Sequence, residues 1–411
     1  MGHQSHHRNL PSSPRLADPA QPSPRPATIC QPRIAVVGGS LTGPVAALLL
    51  LQAGFDRVAL YEAVPASAPL GGGLISLEHS ALDILDRLGI GQDEFVTGES
   101  ESILQISVHD RRAADTVRRV YPGRFTTWTL LHRALTARLP ADVVHTGARV
   151  TGLIETCGRP VLQLADGRQE CVDLVVFADG RSSTGRTLLD PDRRLRYAGY
   201  VAHRGDTIHA PTALVDFLRF EPCPGVQFNI APIPGGADWT FYLNATESDY
   251  AARFGAPPTQ RVFALPKHVT AAARAHVDTN AAHHLPPDQA AIVHTTASRA
   301  AVPVMDIDPP TAMVWPLGRG HAVLLGDALA PVRPHTARGA NNGIEQAAGL
   351  VAALTQHRKY RADLGGALGG WQRRHLPAAV ASIRLGPVIG GRLGLGPTPA
   401  ADSTRRVAVA V

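Results

Sequence analysis

The sequence is poor in cysteine and in long apolar runs, and each shortage excludes a class of protein. Four cysteines among 411 residues, none in a CxxC pair, fit neither a disulfide framework nor a zinc site and indicate a reducing compartment. No run of about 18 apolar residues is present, so no membrane-spanning helix is expected. We therefore expect a cytoplasmic protein with no metal site and no membrane partner.

Charge and length set further limits. Lysine and arginine outnumber aspartate and glutamate by 40 to 34, which gives a formal net charge of +6 and a pI near 9.4. The arginines are scattered and form no basic run, so a general basic skew is a better interpretation than a nucleic-acid-binding face. A length of 411 residues with 44% hydrophobic residues predicts a large core and two domains.

The N-terminal segment is rich in proline and lacks the apolar core of a signal peptide. Seven prolines occur in the first 32 residues. We predict a disordered tail over 1–32, ordered structure from near Arg33, and a second flexible tail over 396–411.

A strand–helix–strand pattern follows this tail. A short apolar strand ends at Val37, an apolar helix is expected from Thr42 to Ala53, and a second strand ends at Tyr61. Glu62 follows Gly43 by about 20 residues, the spacing at which a dinucleotide fold presents a carboxylate to a ribose. Ser40 stands where a glycine is usual in this motif. The candidate cofactor-binding residues here are Gly38, Gly39, Ser40, Leu41, Thr42, Gly43 and Glu62.

Two later strands end in the same kind of small and acidic residues. Asp179 and Gly180 follow the predicted strand 173–178, and Gly326 and Asp327 follow the predicted strand 321–325. Alone, the first of these two would be an ordinary strand followed by an Asp-Gly turn. In this order, the three motifs predict an extended dinucleotide held along the ends of several strands.

A glycine-rich segment after Pro334 predicts a further helix start. The sequence HTARGANNGIEQA runs from 335 to 347 and includes Gly339, Ala340 and Asn341. A helix that begins there offers free amides and the positive end of its dipole to a negatively charged group. The alternative is a loop that caps a structural helix. We expect Gln346 to matter little if it sits one turn inside the helix.

These motifs together resemble those of class A flavin monooxygenases, the para-hydroxybenzoate hydroxylase-like group. The segment Asp179–Arg186 is similar to their DGxxSxxR fingerprint, and 326–334 is similar to their GDAAHxxxP segment, with Leu329 and Ala330 departing from it. Trp128 stands where most of these enzymes have an arginine. The resemblance covers roughly 33–385, and short matches such as 197–205 and 333–336 look most like the 2,6-dihydroxypyridine 3-monooxygenase subgroup.

The resemblance implies an α/β fold and a redox function. It implies a Rossmann-like FAD-binding domain of the GR2 type over 33–194 and 295–395, an inserted, mostly β substrate domain over 195–294, and C-terminal helices. It also implies that FAD is the cofactor, that NADH or NADPH visits transiently, and that O2 hydroxylates an aromatic or N-heteroaromatic small molecule through a flavin C4a-hydroperoxide. A homodimer is left open.

Two residues are the catalytic candidates that the resemblance suggests. Arg204 lies on a strand expected to reach the flavin, where it would stabilise an oxyanion or guide the nicotinamide; the alternative is a salt bridge between domains. His335 has a near-neutral pKa suited to proton transfer, or else it only shapes its loop. Gly73 lies in a glycine-rich stretch, 71–75, that resembles a loop around the flavin ring. Four residues with period-2 positions either face the pocket or pack within the sheet: Tyr200, His203, Asn229 and Tyr242.

Other functions of the same fold stay open. An epoxidase would use the same chemistry. Another FAD oxidoreductase of this fold, such as a reductase of isoprenoid chains, and a non-catalytic FAD-fold binding protein would carry the same motifs. A flavin halogenase would need a catalytic lysine in a WxWxIP context, and this sequence has no such motif and only Lys267 before residue 358.

Overall fold

The computed structural model describes residues 1–2, 31–67, 72–98, 100–208, 214–360 and 363–397. The described residues from Pro32 onward belong to one compact unit. The two predicted tails, 1–32 and 396–411, fall almost entirely outside the described residues. Gly71, part of the predicted flavin loop, lies outside them as well.

Eighteen strands are present among the described residues. They are β1 (Ile34–Val37), β2 (Val58–Glu62), β3 (Leu74–Glu78), β4 (Ser102–His109), β5 (Arg112–Val120), β6 (Gly123–Thr127), β7 (Val144–Thr146), β8 (Val150–Thr156), β9 (Arg159–Leu164), β10 (Gln169–Cys171), β11 (Leu174–Phe177), β12 (Arg196–Thr207), β13 (Phe217–Cys223), β14 (Val226–Ile233), β15 (Gly236–Asn244), β16 (Arg299–Asp306), β17 (Val314–Leu317) and β18 (Gly320–Leu324).

Ten α-helices accompany them in the same residues. They are α1 (Thr42–Gln52), α2 (His79–Arg87), α3 (Trp128–Thr136), α4 (Thr184–Leu189), α5 (Glu247–Phe254), α6 (Ala271–His284), α7 (Pro287–Thr295), α8 (Gly326–Leu329), α9 (Gly339–Tyr360) and α10 (Leu364–Arg392). Short 3-10 turns occur at Gln92–Glu94, Pro266–His268 and Pro334–Thr336.

A six-stranded sheet brings the three sequence motifs to one edge. Its strand order is β17-β18-β11-β1-β2-β7, and all neighbours from β18 to β7 run parallel. Every residue of β1 and β11 is buried, as expected for strands covered on both faces. Because parallel strands end at the same edge, the segments after β1, β11 and β18 lie side by side. The predicted α/β, Rossmann-like fold is therefore confirmed.

A seven-stranded sheet forms the second layer. Its order is β16-β12-β15-β14-β13-β4-β5. One face carries the aromatic side chains of Phe228, Trp239 and Phe241, which belong to the same apolar cluster as buried residues of α6 and α7. The side chains that alternate with these point to the opposite, more polar face.

This second sheet is broader than the predicted insertion. The range 195–294 holds β12 to β15, whereas β4 and β5 come from earlier in the chain and β16 from later. β5 is exposed along its whole length, so it lacks the alternating apolar pattern by which a strand is recognised in sequence. The division into two domains stays a prediction.

The last helix continues through a glycine-rich run. The spacing of glycines over 386–391 favours a loop that ends the helix, but α10 extends through this run to Arg392. A Cβ added at Gly386 would lie 3.0 Å from the Arg333 side chain. The missing side chain therefore allows α10 to pack closely against Arg333. Among the described residues, no helix is both long enough and apolar enough to span a bilayer.

Candidate active site

The turn after β1 lies directly against the turn after β11. Gly38 adopts a φ of +108°, and a Cβ added there would lie 2.7 Å from the Cα of Asp179. A Cβ at Gly43 would collide with the backbone of Gly38. The two glycines are thus required by close backbone approach, as predicted for this motif.

The N-terminus of α1 opens from this turn, and its first amides have no side-chain cap among the described residues. Leu41 occupies the N-cap position without a capping side chain, and no acidic residue lies in the first turn. The hydroxyl oxygen of Thr42 would be within 2.8 Å of a Cβ added at Gly326, so α1 also packs against the third motif. Free amides and the helix dipole make this end suited to a pyrophosphate.

Glu62 lies at the rim of a cavity of about 230 Å³. Its Oε2 accepts a hydrogen bond from the Gly39 amide at 2.5 Å, and its Oε1 accepts one from the Val64 amide at 2.7 Å. Ser40 and Gly180 line the same cavity. The structure therefore places the predicted ribose-binding carboxylate beside the residues of the first two motifs.

Two departures from the family pattern contact each other. The Nε1 of Trp128 donates a hydrogen bond to the Oγ of Ser40 at 3.0 Å. The Trp128 ring stacks on His132 at 4.4 Å, and the Nε2 of His132 lies 2.9 Å from the Gly39 carbonyl. The first turn of α3 thereby supports the glycine-rich loop through Ser40 and Gly39.

Asp179 organises its own loop. Its carboxylate accepts hydrogen bonds from the Ser183 hydroxyl and, at 3.1 Å, from the Gly185 amide. Burial raises the pKa of Asp179, and these hydrogen bonds oppose that rise. Gly180 follows at a φ of +75°. The side chain of Asp179 therefore shapes the turn into α4 while its backbone borders the cavity.

Arg186 joins the second motif to the third. Its buried guanidinium donates to the carbonyls of Asp327 at 3.1 Å and Ala328 at 2.9 Å. Burial lowers the pKa of Arg186 to about 10. Arg186 is the last residue of the DGxxSxxR fingerprint, but the fingerprint alone does not indicate its role. Its contacts show that it positions the backbone around Asp327.

Asp327 presents a carboxylate that is free among the described residues. It receives no hydrogen bond there, it lines a cavity of about 350 Å³, and burial raises its pKa against the opposing charges of Arg181 and Arg186. The preceding Gly326 has a φ of +52°, and its amide donates to the Oε1 of Gln346 at 2.8 Å. The expectation that Gln346 matters little was wrong, because its buried amide fixes this turn.

The start of α9 borders the same cavity. Gly339 and Ala340 line it, as does Pro334. The side chain of Asn341 instead binds β3 and the preceding turn: its Nδ2 donates to the carbonyls of Ser76 and Ala337, and its Oδ1 accepts from the Glu78 amide at 2.8 Å. Any contact of Asn341 with a cofactor would therefore come from its backbone.

Arg204 lies between the 350 Å³ cavity and a second cavity of about 610 Å³. A Cβ added at Gly73 would be 2.7 Å from its Nη1, so the guanidinium packs against the predicted flavin loop. Among the described residues, Arg204 forms no salt bridge, and its Nε has no hydrogen-bond partner. Nearby Asp238 has its pKa raised to about 7 by burial, with Arg204 opposing the rise.

His335 faces the cavity in its neutral form. Its ring lies 4.5 Å from that of Tyr242 and 5.7 Å from that of Tyr200, and its Nε2 has no partner among the described residues. Burial, together with the positive charges of Arg219 and Arg333, lowers its pKa to about 3. The expected near-neutral pKa was wrong, because the sequence does not reveal that the ring is buried among aromatic side chains and cations.

The four period-2 residues divide between the faces of the sheet. Asn229 and Tyr242 line the 350 Å³ cavity, and Tyr200 stacks beside it. His203 lies on the opposite face against Phe254.

The residues fit an extended FAD. One cavity lies by Glu62 and another by Asp327, with the open N-terminus of α1 between the motifs that border them. Glu62 and Asp327 lie at different points along one edge of the sheet, so each could bind one of the two sugar-like groups of a single extended ligand. Among the described residues, no group of histidine, cysteine and acidic side chains is suited to hold a metal ion.

Comparisons with known proteins identify relatives of the whole chain. The chain is 32% identical over 343 residues to a 6-hydroxynicotinate 3-monooxygenase of Bordetella bronchiseptica, covering 79% of this chain and 83% of that protein. No protein-family model matches the chain.

Solved structures share the fold. The 2,6-dihydroxypyridine-3-hydroxylase of Arthrobacter nicotinovorans superposes with a TM-score of 0.77 at 23% identity, over 93% of this chain and all (100%) of that one. The Klebsiella pneumoniae protein HpxO, solved with FAD and uric acid, gives a TM-score of 0.69 at 20% identity, over 86% and 87% of the two chains. This chain belongs to the class A FAD-dependent aromatic monooxygenases.

Proposed function

We propose that this enzyme hydroxylates an aromatic or N-heteroaromatic small molecule, using O2 and a reduced nicotinamide, NADH or NADPH. The observation that carries the proposal is the 350 Å³ cavity, which joins the FAD motifs at Asp327 and Gly339 to the polar face of the seven-stranded sheet at Arg204 and Tyr242. Its volume falls within the roughly 300–1,000 Å³ typical of small-molecule sites.

The FAD-binding roles follow from position. The α1 amides suit the pyrophosphate, Glu62 suits the adenosine ribose, and the unpaired carboxylate of Asp327 suits the ribityl chain. When bound, FAD would supply the oxygen-activating chemistry.

The chain's own residues would orient the substrate and exclude water. Leu74, Ile75, Phe217 and Val332 give the cavity apolar walls. Arg204 keeps a charge directed at the cavity and would stabilise an oxyanion formed on the ring. His335 has too low a pKa to carry a positive charge near neutral pH, so we assign it a hydrogen bond to the substrate through Nε2.

The 610 Å³ cavity supports a transient visit of the nicotinamide. It shares Arg204 with the 350 Å³ cavity, and it is also lined by Gly73, Arg133 and the buried Asp238. A nicotinamide dinucleotide carries phosphates, which a cation can bind, and a carboxamide, which a carboxyl group can bind through hydrogen bonds. Cytoplasmic location and a homodimer stay predictions.

Labelled dioxygen tests the proposal. The purified holoenzyme is given NADH or NADPH with a panel of hydroxylated benzoates and pyridines, and nicotinamide oxidation and product mass are followed. We expect one labelled oxygen atom per product molecule, with one nicotinamide consumed. Oxygen inserted across an isolated alkene would favour an epoxidase, and no nicotinamide oxidation with any compound would refute the proposal.

A further inference from the structure

Trp128 lies between two loops of the FAD site: the turn 38–43, here called the phosphate loop, and the predicted flavin loop, 71–75. It is the first residue of α3, and the hydroxyl of Thr127 caps that helix by accepting a hydrogen bond from the Leu130 amide at 3.2 Å. The cap fixes the start of α3 and therefore the place from which the indole projects.

The hydrogen bond between Trp128 and Ser40 has only one possible direction. An indole nitrogen donates and never accepts, so the Ser40 oxygen is the acceptor at 3.0 Å. A hydroxyl that accepts in this way keeps its own proton free to donate. Among the described residues, the Ser40 hydroxyl donates to no protein group, and Ser40 lines the 230 Å³ cavity. Its proton is therefore available to a ligand.

The surroundings of Ser40 suit a phosphate group. Ser40 lies between Gly38 and Thr42, the first residue of α1. The first turn of α1 has no acidic residue and, in the described part of the chain, no side-chain cap. A hydroxyl donor beside such amides, at the positive end of a helix dipole, is complementary to a phosphate oxygen. In an extended FAD that reaches from Glu62 to Asp327, the group that passes the start of α1 is the pyrophosphate.

His132 supports the phosphate loop from the other face of the indole. Its ring stacks on Trp128, with the centroids 4.4 Å apart and the planes at 13° to each other. Its Nε2 lies 2.9 Å from the Gly39 carbonyl oxygen, and because a carbonyl oxygen only accepts, Nε2 is the donor. Trp128 and His132 are one turn apart on α3. One face of this helix thus presents two donors to two consecutive residues of the phosphate loop.

Trp128 also fixes the flavin loop, of which residues 72–75 are described. Its backbone amide donates to the Gly73 carbonyl at 3.1 Å. A Cβ added at Gly72 would collide with the Cβ of Trp128 and lie 2.6 Å from its Cγ. The missing side chain therefore lets the flavin loop lie directly against the indole. Displacing the indole would disturb both loops.

We propose that Trp128 is a positioning residue for FAD: its indole orients the Ser40 hydroxyl to donate to the pyrophosphate and holds the flavin loop beside the phosphate loop. Trp128 acts on the cofactor through Ser40. The inference concerns FAD binding alone, so it depends neither on the substrate nor on the nicotinamide.

Dilution of the FAD-loaded holoenzyme tests this. The fluorescence of released FAD at a series of protein concentrations gives the FAD dissociation constant of each variant. Ser40→Ala removes the donor and should raise this constant at least about tenfold. Trp128→Phe keeps a ring against the flavin loop but removes the indole N–H, and should raise it about fivefold. In the Ser40→Ala background, Trp128→Phe should change it less than about twofold, because no hydroxyl is left to orient.

Two further variants separate this role from general damage. Gly72→Ala places a methyl group where the indole lies, so it should displace Trp128 and raise the dissociation constant as Trp128→Phe does. Trp315→Phe removes an indole from β17, which β18 and β11 separate from β1, and should leave the constant unchanged. Phosphorus NMR of bound FAD should show a shifted pyrophosphate resonance in Ser40→Ala and in Trp128→Phe, but not in Trp315→Phe.

Three results would overturn the proposal: an unchanged dissociation constant in Ser40→Ala, an effect of Trp128→Phe that is as large in the Ser40→Ala background as in the wild type, or unshifted phosphorus resonances in both single variants. Circular dichroism of each variant should match that of the wild type, which shows that the fold is intact. A holoenzyme that gives the expected dissociation constants but never oxidises nicotinamide would refute the proposed function and leave this inference standing.

Discussion

Replacing His203 with phenylalanine should make the protein more resistant to acid. His203 is 4% exposed, its Nε2 has no partner in the described part of the chain, and its ring lies 6.1 Å from that of Phe254. Burial, with the positive charges of His276, Arg253 and Arg299 acting in the same direction, lowers its pKa to about 3. The folded protein therefore keeps this imidazole neutral under conditions in which the unfolded chain protonates it.

The size of this pH effect follows from the difference between the pKa of His203 in the folded and unfolded states. The pKa is 6.5 in the unfolded chain and about 3 in the folded one, so stability is lost as pH falls below 6.5. At about pH 5 the unfolded state gains about 2 kcal/mol from protonating His203, and at about pH 7.5 it gains almost nothing. His203→Phe removes this dependence. Any packing cost of the larger ring is the same at both pH values and cancels in the comparison.

Denaturant unfolding at the two pH values measures the effect. Between about pH 7.5 and about pH 5, the free energy of unfolding of the wild type should fall by about 2 kcal/mol more than that of His203→Phe. His335→Phe should show a similar change because its pKa is lowered to about 3 as well. His283→Gln, at an exposed position, should behave like the wild type. Equal pH dependence of the wild type and His203→Phe would mean that His203 is not held neutral in the fold.

Three further predictions concern the cofactor site. Asp327→Ala should lose flavin on gel filtration, because the variant lacks the unpaired carboxylate in the cavity; full retention would refute that role. Gln346→Leu should lower the free energy of unfolding by about 1–3 kcal/mol, because the buried Gly326 amide loses its hydrogen-bond acceptor. An unchanged denaturation midpoint would contradict this role of Gln346. Trp128→Phe and Ser40→Ala should each weaken FAD binding. In the double variant the two losses of binding free energy should be coupled by about 1 kcal/mol, because both variants remove the same hydrogen bond. Additive losses would show that this hydrogen bond does not contribute to FAD binding.

The sequence is most informative where a function depends on backbone geometry. Gly38 and Gly43 are required by close contacts that no other residue permits, and parallel strands bring their ends to one edge, so the FAD motifs could be placed from spacing alone. Glu62 and Asp327 lie at the cavities for the same reason.

Features that depend on strand pairing could not be placed. Arg219 belongs to the site only because β13 pairs with β14 in a register that sets it opposite Asn229, and nothing local to Arg219 indicates this. The pKa of His335 depends on burial against Tyr200 and Tyr242 and on the charge of Arg219, all of which come from strands far away in the chain, as well as on nearby Arg333. Gln346 was misjudged because its partner, Gly326, lies on another element.

Reduction of the flavin by nicotinamide tests the central claim most directly. The holoenzyme is mixed anaerobically with NADH or NADPH, with and without the hydroxylated aromatic acids, and the flavin absorbance is followed in a stopped-flow instrument. A class A monooxygenase with the proposed function should lose its oxidised flavin absorbance, faster when a substrate is present. If neither nicotinamide reduces the bound flavin with any of these compounds, the proposed function is contradicted.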